Sequence, residues 1–364
     1  MGVTTLAGIE RAARAHLPRE IWDFIEGGSG AERTLAANRE AFSRYAFRPR
    51  TLVDVSACSP ATTLLGSPLA LPVGIAPMAY HRLVDPEGET ATARAAGAAG
   101  ALLVAGMFAS RTLEDITAAA TGPVWLQLYW LRERAALAAL VERAEAAGIS
   151  ALVLTVDAPR IGRRLRDLRN GFAIPPAVRA VNLDPALMAA SHRAASGSSG
   201  IADHAREQFD PSLTWADLGW LRERTRLPLV LKGVLAAEDA RLAVEHGVDA
   251  VVVSNHGGRQ LDGAVPALAA LPEVADAVPG TLPVLLDGGV RTGADIALAL
   301  ALGAAAVLIG RPAFWGLATG GEAGVRRVLD LLHDELEHTL ALLGRPRLAD
   351  LDRSAVTPWP PPHR

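Results

Sequence analysis

Short runs of apolar residues recur along most of the chain, and longer alanine-rich stretches with helical spacing separate them. The runs are continuous rather than alternating, which indicates strands buried on both faces, as in a parallel sheet. Four of the helical stretches end in glycine shortly before an apolar run, and glycine after a helix supplies the left-handed cap that returns the chain to a sheet. These glycines are Gly97, Gly148, Gly247 and Gly303.

Eight such runs with helices between them predict eight β/α units, and therefore an α/β protein with a closed (β/α)8 TIM barrel. A length of 364 residues suits one barrel domain with additions. The predicted strands are Val73–Ala76, Leu102–Ala105, Trp125–Leu128, Leu152–Val156, Leu229–Leu231, Ala250–Val253, Val284–Leu286 and Ala306–Ile309.

Two regions depart from the repeat. Residues 1–70 precede the barrel, which we expect over 71–345, and are predicted to be a helical lead-in. The gap after the fourth strand is much longer than the others, and its residues 170–212 include PPAVRAV and ASGSSGIAD. A loop of this length is typical of a lid, so we predict a mobile cover over the active face rather than a second domain. Residues 346–364 are predicted to form a C-terminal tail.

Composition excludes several classes of function. The net charge is −3 without blocks of like charge, so neither nucleic acid nor an anionic membrane is an expected partner. The lone Cys58 excludes an internal disulfide and a cysteine metal cluster, and no histidine–carboxylate cluster has metal-ligand spacing. With no 18-residue apolar run and no signal core, a cytoplasmic location is expected.

Polar residues follow nearly every predicted strand, at the end of a barrel where active sites lie. The sixth strand ends in SNHGGRQLD, which brings His256 and Arg259 to one glycine-rich loop, and the fourth strand ends at Asp157. A base beside a fixed cation suits an anionic substrate that must lose a proton or a hydride, and Asp157 is the natural partner to orient His256. Lys232 ends the fifth strand and is the only lysine among 36 basic residues, which indicates a role for a compact charge.

The segments DGGVRTGADI and IGRP after the last two strands predict a phosphate site. Their glycines allow backbone N–H groups to approach an anion, and Arg291 and Arg311 add charge. Together with Lys232, and with Gln127 and Thr155 as partners for a pyrimidine edge, this site suggests flavin mononucleotide (FMN). The alternatives are tight turns with arginines paired to acids, a structural ion pair at Lys232, and ordinary barrel filling at Gln127 and Thr155.

Taken together, the segments PVGIAPMAY, LQLY, LTVDAPRIGRR, LVLKGV, SNHGGRQLD, DGGVRTG and IGRP resemble the FMN-dependent L-2-hydroxy acid oxidases and dehydrogenases. The resemblance runs from about Leu17 to about Arg353. It implies that His256 is the catalytic base with Asp157 as its partner, and that Arg259, Arg164 and Tyr129 bind the substrate carboxylate. It further implies that FMN contacts Pro77, Met78, Ala79, Gly106, Gln127, Thr155, Lys232, Ser254, Asp287, Gly288, Gly289, Arg291, Gly310 and Arg311.

Two positions depart from the glycolate-oxidising members of that family. Phe24 takes the place of a tyrosine that binds the carboxylate, and Phe108 takes the place of a tryptophan near the substrate. Both changes predict an apolar, roomier pocket that suits an aryl group, with Phe24 and Phe108 as substrate-binding residues. Ala79 stands where the mandelate dehydrogenases carry glycine, which favours an oxidase.

The expected function is therefore oxidation of an aryl L-2-hydroxy acid, mandelate or 4-hydroxymandelate, to the 2-oxo acid, with O2 reduced to H2O2. His256 would take a proton from the 2-hydroxyl, with hydride transfer, or from the α-carbon. The alternatives are a dehydrogenase that passes electrons to a quinone, an oxidase of lactate or glycolate, an FMN-dependent isopentenyl diphosphate isomerase, and a flavin-binding protein without turnover. By family analogy, the chain is expected to form a homotetramer or octamer.

Overall fold

The computed structural model describes residues 4–194 and 197–360. The strands in these residues are β1 (Tyr45–Phe47), β2 (Thr62–Leu64), β3 (Ser67–Leu69), β4 (Val73–Ile75), β5 (Leu102–Gly106), β6 (Val124–Leu128), β7 (Ala151–Thr155), β8 (Leu229–Val234), β9 (Ala250–Val253), β10 (Val284–Asp287), β11 (Ala306–Ile309) and β12 (Val356–Pro358). The helices are α1 (Leu6–His16), α2 (Arg19–Glu26), α3 (Arg33–Glu40), α4 (Glu89–Ala98), α5 (Leu113–Ala119), α6 (Arg134–Ala146), α7 (Leu165–Asn170), α8 (Gly200–Gln208), α9 (Leu218–Arg222), α10 (Ala237–Glu245), α11 (Ala267–Ala277), α12 (Gly293–Ala301) and α13 (Arg311–Leu343).

Strands β4 to β11 are parallel and close into a barrel in chain order, with β11 paired to β4. This confirms the predicted (β/α)8 fold, and all eight predicted strands are present with ends that differ by at most a few residues. Among the described residues, no helix is long and apolar enough to cross a membrane.

Successive side chains of each barrel strand belong to different layers. On β5, Leu102 and Val104 point into the barrel interior, whereas Leu103 and Ala105 pack in the layer between the strands and the helices. This division follows from the two-residue period of a strand. Both layers are apolar, which explains why the strands are continuous apolar runs in the sequence.

Helix-ending glycines were predicted correctly at three of the four positions. Gly148, Gly247 and Gly303 have positive φ angles of 85°, 66° and 115°. The prediction at Gly97 is wrong, because Gly97 lies inside α4 and the left-handed turn falls at Gly100. A Cβ atom on Gly97 would lie 2.3 Å from the Thr121 Oγ1 atom, so this glycine is there for close packing.

The prediction of helices throughout residues 1–70 is wrong for residues 45–69. After α1, α2 and α3, strand β1 pairs antiparallel with β12 near the other end of the chain, and β2 and β3 form a hairpin. Leu64 and Leu69 of this hairpin pack with the inward side chains of the barrel. The Ala70 N–H, next to β3, donates to the carbonyl of Gly100, just before β5. The hairpin therefore lies at the amino-terminal end of the barrel and closes it.

Residues 170–212, here called the cover segment, are described except for 195–196. The segment is more structured than a simple loop, because it contains α8 and a 3-10 turn at Ala189–His192. Phe172, Ile174 and Phe209 are buried in the main apolar core. The segment lies at the carboxyl ends of the strands, as predicted, and its mobility stays a prediction. Of the predicted C-terminal tail, residues 361–364 lie outside the described residues.

Candidate active site

A cavity lies at the carboxyl ends of the barrel strands. Residues of α2 and of the cover segment also line it, so three separate parts of the chain enclose it. Most of the predicted site residues line this cavity: Phe24, Pro77, Met78, Ala79, Phe108, Tyr129, Arg164, Lys232, His256, Arg259, Asp287, Gly288, Gly289, Arg291, Gly310 and Arg311.

Other predicted residues do not belong to this lining: Gly106, Gln127, Thr155, Asp157 and Ser254. Asp157 and Ser254 are hydrogen-bonded to residues that do line the cavity. The Gln127 amide donates to the Thr155 hydroxyl over 3.0 Å, and both side chains are buried. The amide and the hydroxyl therefore bind each other, and their contact with a flavin ring stays a prediction.

His256 and Asp157 form a hydrogen-bonded pair, as predicted from the sequence. The distance between His256 Nδ1 and Asp157 Oδ1 is 3.0 Å. With a proton on Nδ1 donated to the carboxylate, the lone pair of the neutral ring is on Nε2. Gly233 permits this arrangement, because its φ is 113° and a Cβ atom there would lie 2.6 Å from the Cβ of Asp157.

The charges around this pair keep the imidazole neutral and the carboxylate ionised. Burial lowers the pKa of His256, Asp157 opposes this change, and Lys232 adds to it, so the net pKa lies below its ordinary value. Burial alone would raise the pKa of Asp157, but the charge and hydrogen bond of His256 outweigh it and the net pKa is lowered. The arrangement is that of a general base held in one orientation.

Lys232 is buried, and its ammonium contacts two polar neighbours. Its Nζ atom lies 2.9 Å from Asp287 Oδ2 and donates to Ser254 Oγ over 3.0 Å. Burial alone would lower the pKa of Lys232, but Asp287 and Asp157 more than offset it and the net pKa is raised. The ammonium therefore remains charged at the cavity wall. The structural ion pair considered as an alternative is present, and it holds the ammonium in place at that wall.

Two arginines share an acceptor at the end of α2. Arg259 Nη1 donates to the carbonyls of Ile25 and Gly27 over 3.1 Å and 2.7 Å. Arg311 Nε donates to the same Ile25 carbonyl over 3.2 Å. Burial lowers the pKa of Arg259, and the positive charges of Arg164 and Arg311 lower it further. An anion bound in the cavity would relieve this crowding of positive charge.

Arg164 begins α7 at the edge of the cavity and is only partly neutralised. Its nearest carboxylate, that of Asp167, lies 4.0 Å away, and its Nε atom is buried without a hydrogen-bond partner. Burial raises the pKa of Tyr129, whose hydroxyl therefore keeps its proton and can donate. The cavity thus offers two guanidinium groups and one phenol to a carboxylate.

The residues at the ends of β10 and β11 fit the phosphate and sugar of FMN. Gly310, Arg311 and Phe314, all at the start of α13, line the cavity, and unpaired N–H groups at a helix start bind anions. Arg291 lies nearby at the same wall. Asp287 Oδ1 is buried without a hydrogen-bond partner, which suits a contact with a ligand hydroxyl.

Aromatic rings form the remaining walls. Phe24 stacks on Phe172 of the cover segment with 4.5 Å between the ring centroids. Tyr129 stacks on Phe209 at 4.5 Å and on Phe108 at 5.7 Å. Phe24 and Phe108 therefore lie where the sequence predicted an apolar pocket, and the cover segment contributes rings that were not predicted.

His204 and Phe209 of the cover segment are lining residues that the sequence prediction missed. The position of His204 away from every strand end predicts a surface residue, and this prediction is wrong because its exposed fraction is 2 %. Ile201, His204 and Ala205 have the i, i+3, i+4 spacing of one helix face, and all three line the cavity. That spacing, followed by an aromatic residue, was the available signal.

Comparisons with known proteins agree with these features. The family model described as FMN-dependent dehydrogenase matches residues 13–358. The chain is 51% identical over 344 residues to 4-hydroxymandelate oxidase of Amycolatopsis orientalis, covering 94% of this chain and 95% of that protein. It is 50% identical over 349 residues to L-lactate oxidase of a Nostoc species, covering 95% of each. A crystal structure of mandelate oxidase with (S)-4-hydroxymandelic acid superposes with a TM-score of 0.94 at 48% identity, covering 98% of each chain.

Proposed function

Since this chain belongs to the FMN-dependent dehydrogenase family, we propose that it oxidises an aryl L-2-hydroxy acid to the corresponding 2-oxo acid. The substrate loses two electrons and two protons, and one O2 molecule accepts them to give H2O2. FMN, when bound, takes up the two electrons from the substrate and passes them to O2. The preferred substrates under this proposal are (S)-mandelate and its 4-hydroxy derivative.

The observation that carries the proposal is the position of His256, hydrogen-bonded to Asp157 behind it, in a cavity that Arg164 and Arg259 also line. The two arginines and the Tyr129 hydroxyl would bind the substrate carboxylate, which fixes the carbon that carries the reacting hydrogen. A neutral imidazole beside that carbon can accept a proton. These roles follow from the charges of the groups and from their common cavity.

His256 would take its proton from either of two places. Removal of the hydroxyl proton accompanies hydride transfer from the α-carbon, whereas removal of the α-proton leaves a carbanion, and the described geometry suits both routes. Asp157 would stabilise the imidazolium that results. Lys232 would place its positive charge beside the flavin ring, and Arg291, Arg311 and the start of α13 would bind the phosphate.

The aromatic walls support an aryl substrate. Four rings line the cavity together with the arginines, and each of them stacks on another aromatic ring: Phe24, Phe108, Tyr129 and Phe209. A phenyl ring buried there gains roughly 2–3 kcal/mol of apolar contact that a methyl group or hydrogen cannot provide. Two relatives also carry mandelate in their names, although others are named for lactate or glycolate.

The test is a substrate panel read by the oxidised-flavin absorbance under anaerobic conditions. We expect (S)-mandelate and (S)-4-hydroxymandelate to exceed L-lactate and glycolate by about 30- to 150-fold in kcat/KM. The (R)-enantiomer should fail, because the arginines and His256 fix the reacting face. A preference for the small acids would overturn the aryl assignment alone, and no reduction by any hydroxy acid would overturn the function.

The electron acceptor needs a second measurement. After anaerobic reduction, admission of O2 should restore the flavin absorbance and release one equivalent of H2O2. An enzyme that reoxidises only with a quinone or an artificial dye would instead be a dehydrogenase of the same family.

By analogy with the family, the chain is also proposed to form a homotetramer or octamer and to act in the cytoplasm. Light scattering after size-exclusion chromatography tests the assembly. A monomer at micromolar concentration would refute it.

A further inference from the structure

His204 is a buried histidine: neither ring nitrogen makes a hydrogen bond of ordinary geometry, and its one backbone partner, Leu187, is bonded only weakly. Its ring touches aromatic neighbours, with the Phe108 centroid 5.1 Å away and the Phe209 centroid 6.2 Å away, both edge to face. Leaving a buried polar atom unpaired is costly, and native proteins rarely do so without a ligand or a role to explain it. The position of His204 at the cavity wall suggests that a ligand supplies the partner.

The other buried histidine in the described ranges 4–194 and 197–360, His81, does have a polar partner. Its Nδ1 atom lies 2.9 Å from the Thr92 hydroxyl. The contrast with His81 shows that the fold can satisfy a buried imidazole where its role is internal. His204 is instead held between rings, on the side that faces the cavity lining.

The charge state of His204 limits what it can bind. Burial lowers the pKa of His204 to about 4, against a smaller opposing effect of a hydrogen bond to the Leu187 carbonyl. The ring is therefore neutral at neutral pH, and with its N–H directed at Leu187 it keeps one acceptor nitrogen for a ligand. A neutral acceptor suits the O–H of a hydroxyl group and offers no charge to a carboxylate.

We propose that His204 hydrogen-bonds a hydroxyl group at position 4 of the substrate ring and so selects 4-hydroxymandelate over mandelate. This inference rests on the proposed function and deepens it. Arg164, Arg259 and His256 would bind the hydroxy acid end of the substrate. Position 4 of the ring points directly away from that end, and His204 stands among the rings that would enclose it.

The test compares kcat/KM for anaerobic flavin reduction by (S)-mandelate, (S)-4-hydroxymandelate and the 3-hydroxy isomer. The wild type should prefer the 4-hydroxy acid to mandelate by about tenfold, the factor that one hydrogen bond of ordinary strength provides. His204→Leu should bring this ratio close to one, mainly by loss on the 4-hydroxy acid. His204→Gln, which keeps a donor and an acceptor, should retain most of the preference.

His338→Leu is the matched control, because it makes the same substitution at an exposed histidine of α13. It should leave the ratio unchanged. A second readout avoids turnover: the products 4-hydroxyphenylglyoxylate and phenylglyoxylate are titrated against the oxidised-flavin spectrum. Their dissociation constants should differ about tenfold in the wild type and should converge in His204→Leu.

Equal losses on both acids in His204→Leu would make His204 a packing residue and overturn the inference, as would a wild type that prefers the 3-hydroxy isomer or shows no preference. In each of these cases the wild type still oxidises mandelate, so the proposed function stands. A wild type that oxidises none of the three acids would overturn the proposed function, and this inference with it.

Discussion

The basicity of His256 is set by charged neighbours with opposite effects. Burial lowers its pKa, Asp157 raises it, and Lys232 lowers it, and the net value lies below 6.5. The neutral ring is the active base, so kcat/KM should rise with pH through the pKa of the free enzyme and stay level above it. For this histidine the rise should therefore lie on the acid side of the ordinary histidine range, which leaves the base ready at neutral pH.

Asp157→Asn should move this rise of kcat/KM, the acid limb of the pH profile, to lower pH. The reason is that loss of the carboxylate removes a contribution that raises the His256 pKa. The plateau rate of flavin reduction should fall by about 10- to 10²-fold, since the weaker base is also less well oriented. Rapid mixing at a series of pH values measures both. The control Asp276→Asn, which breaks a surface ion pair with Arg353, should change neither. An acid limb displaced to higher pH would contradict the inference that Asp157 raises the pKa of His256.

Single site residues could be predicted where they follow a barrel strand directly. His256 follows β9, and Arg311 follows β11. Lys232 lies near the end of β8. Barrel geometry brings all of these strand ends to one face. His204 could not be placed this way. It lies far along the chain from any strand end, and only the tertiary packing of α8 turns it toward the cavity rather than toward solvent.

Among the secondary-structure elements, the β2–β3 hairpin has the least obvious task. Leu64 and Leu69 enter the barrel interior beside Val153 and Val252, so they complete a core that the eight strands alone leave open at one end. The sequence did not reveal it, since three-residue strands are too short to show a period. The same shortness hid β1 and β12, which find their partners only across the length of the chain.

Leu64→Ala should lower the free energy of unfolding by about 2–5 kcal/mol, because it leaves a void in a closed interior. Leu52→Ala makes the same substitution at a fully exposed side chain and should change it by less than about 0.5 kcal/mol. Urea unfolding followed by circular dichroism provides the comparison. If both variants shifted the midpoint equally, the hairpin would not be part of the core.

Across the chain as a whole, the barrel was predictable because its β/α unit repeats and each repeat supports the same interpretation. The arrangement of the additions was not, because it depends on contacts between distant segments. The cover segment illustrates this: its composition predicted a lid, whereas the side chains it contributes to the cavity are determined by how Phe172 and Phe209 pack.

The pairing of β1 with β12, together with the packing of α1 on α13, has a consequence for the order of folding. The lead-in that carries Phe24 and the Ile25 carbonyl precedes these two partners in the chain, so it is synthesised before them. Contacts so distant in sequence form slowly.

On refolding, we expect far-UV circular dichroism to recover before FMN binding, which flavin fluorescence reports. A chain truncated after Ala355 lacks β12 and should regain the helical signal yet bind FMN only weakly. Simultaneous recovery of both signals in the full chain would contradict this order, because the lead-in would then dock together with the barrel. The lead-in would thus become useful only after β12 has formed and paired with β1, and the enzyme would stay inert until then.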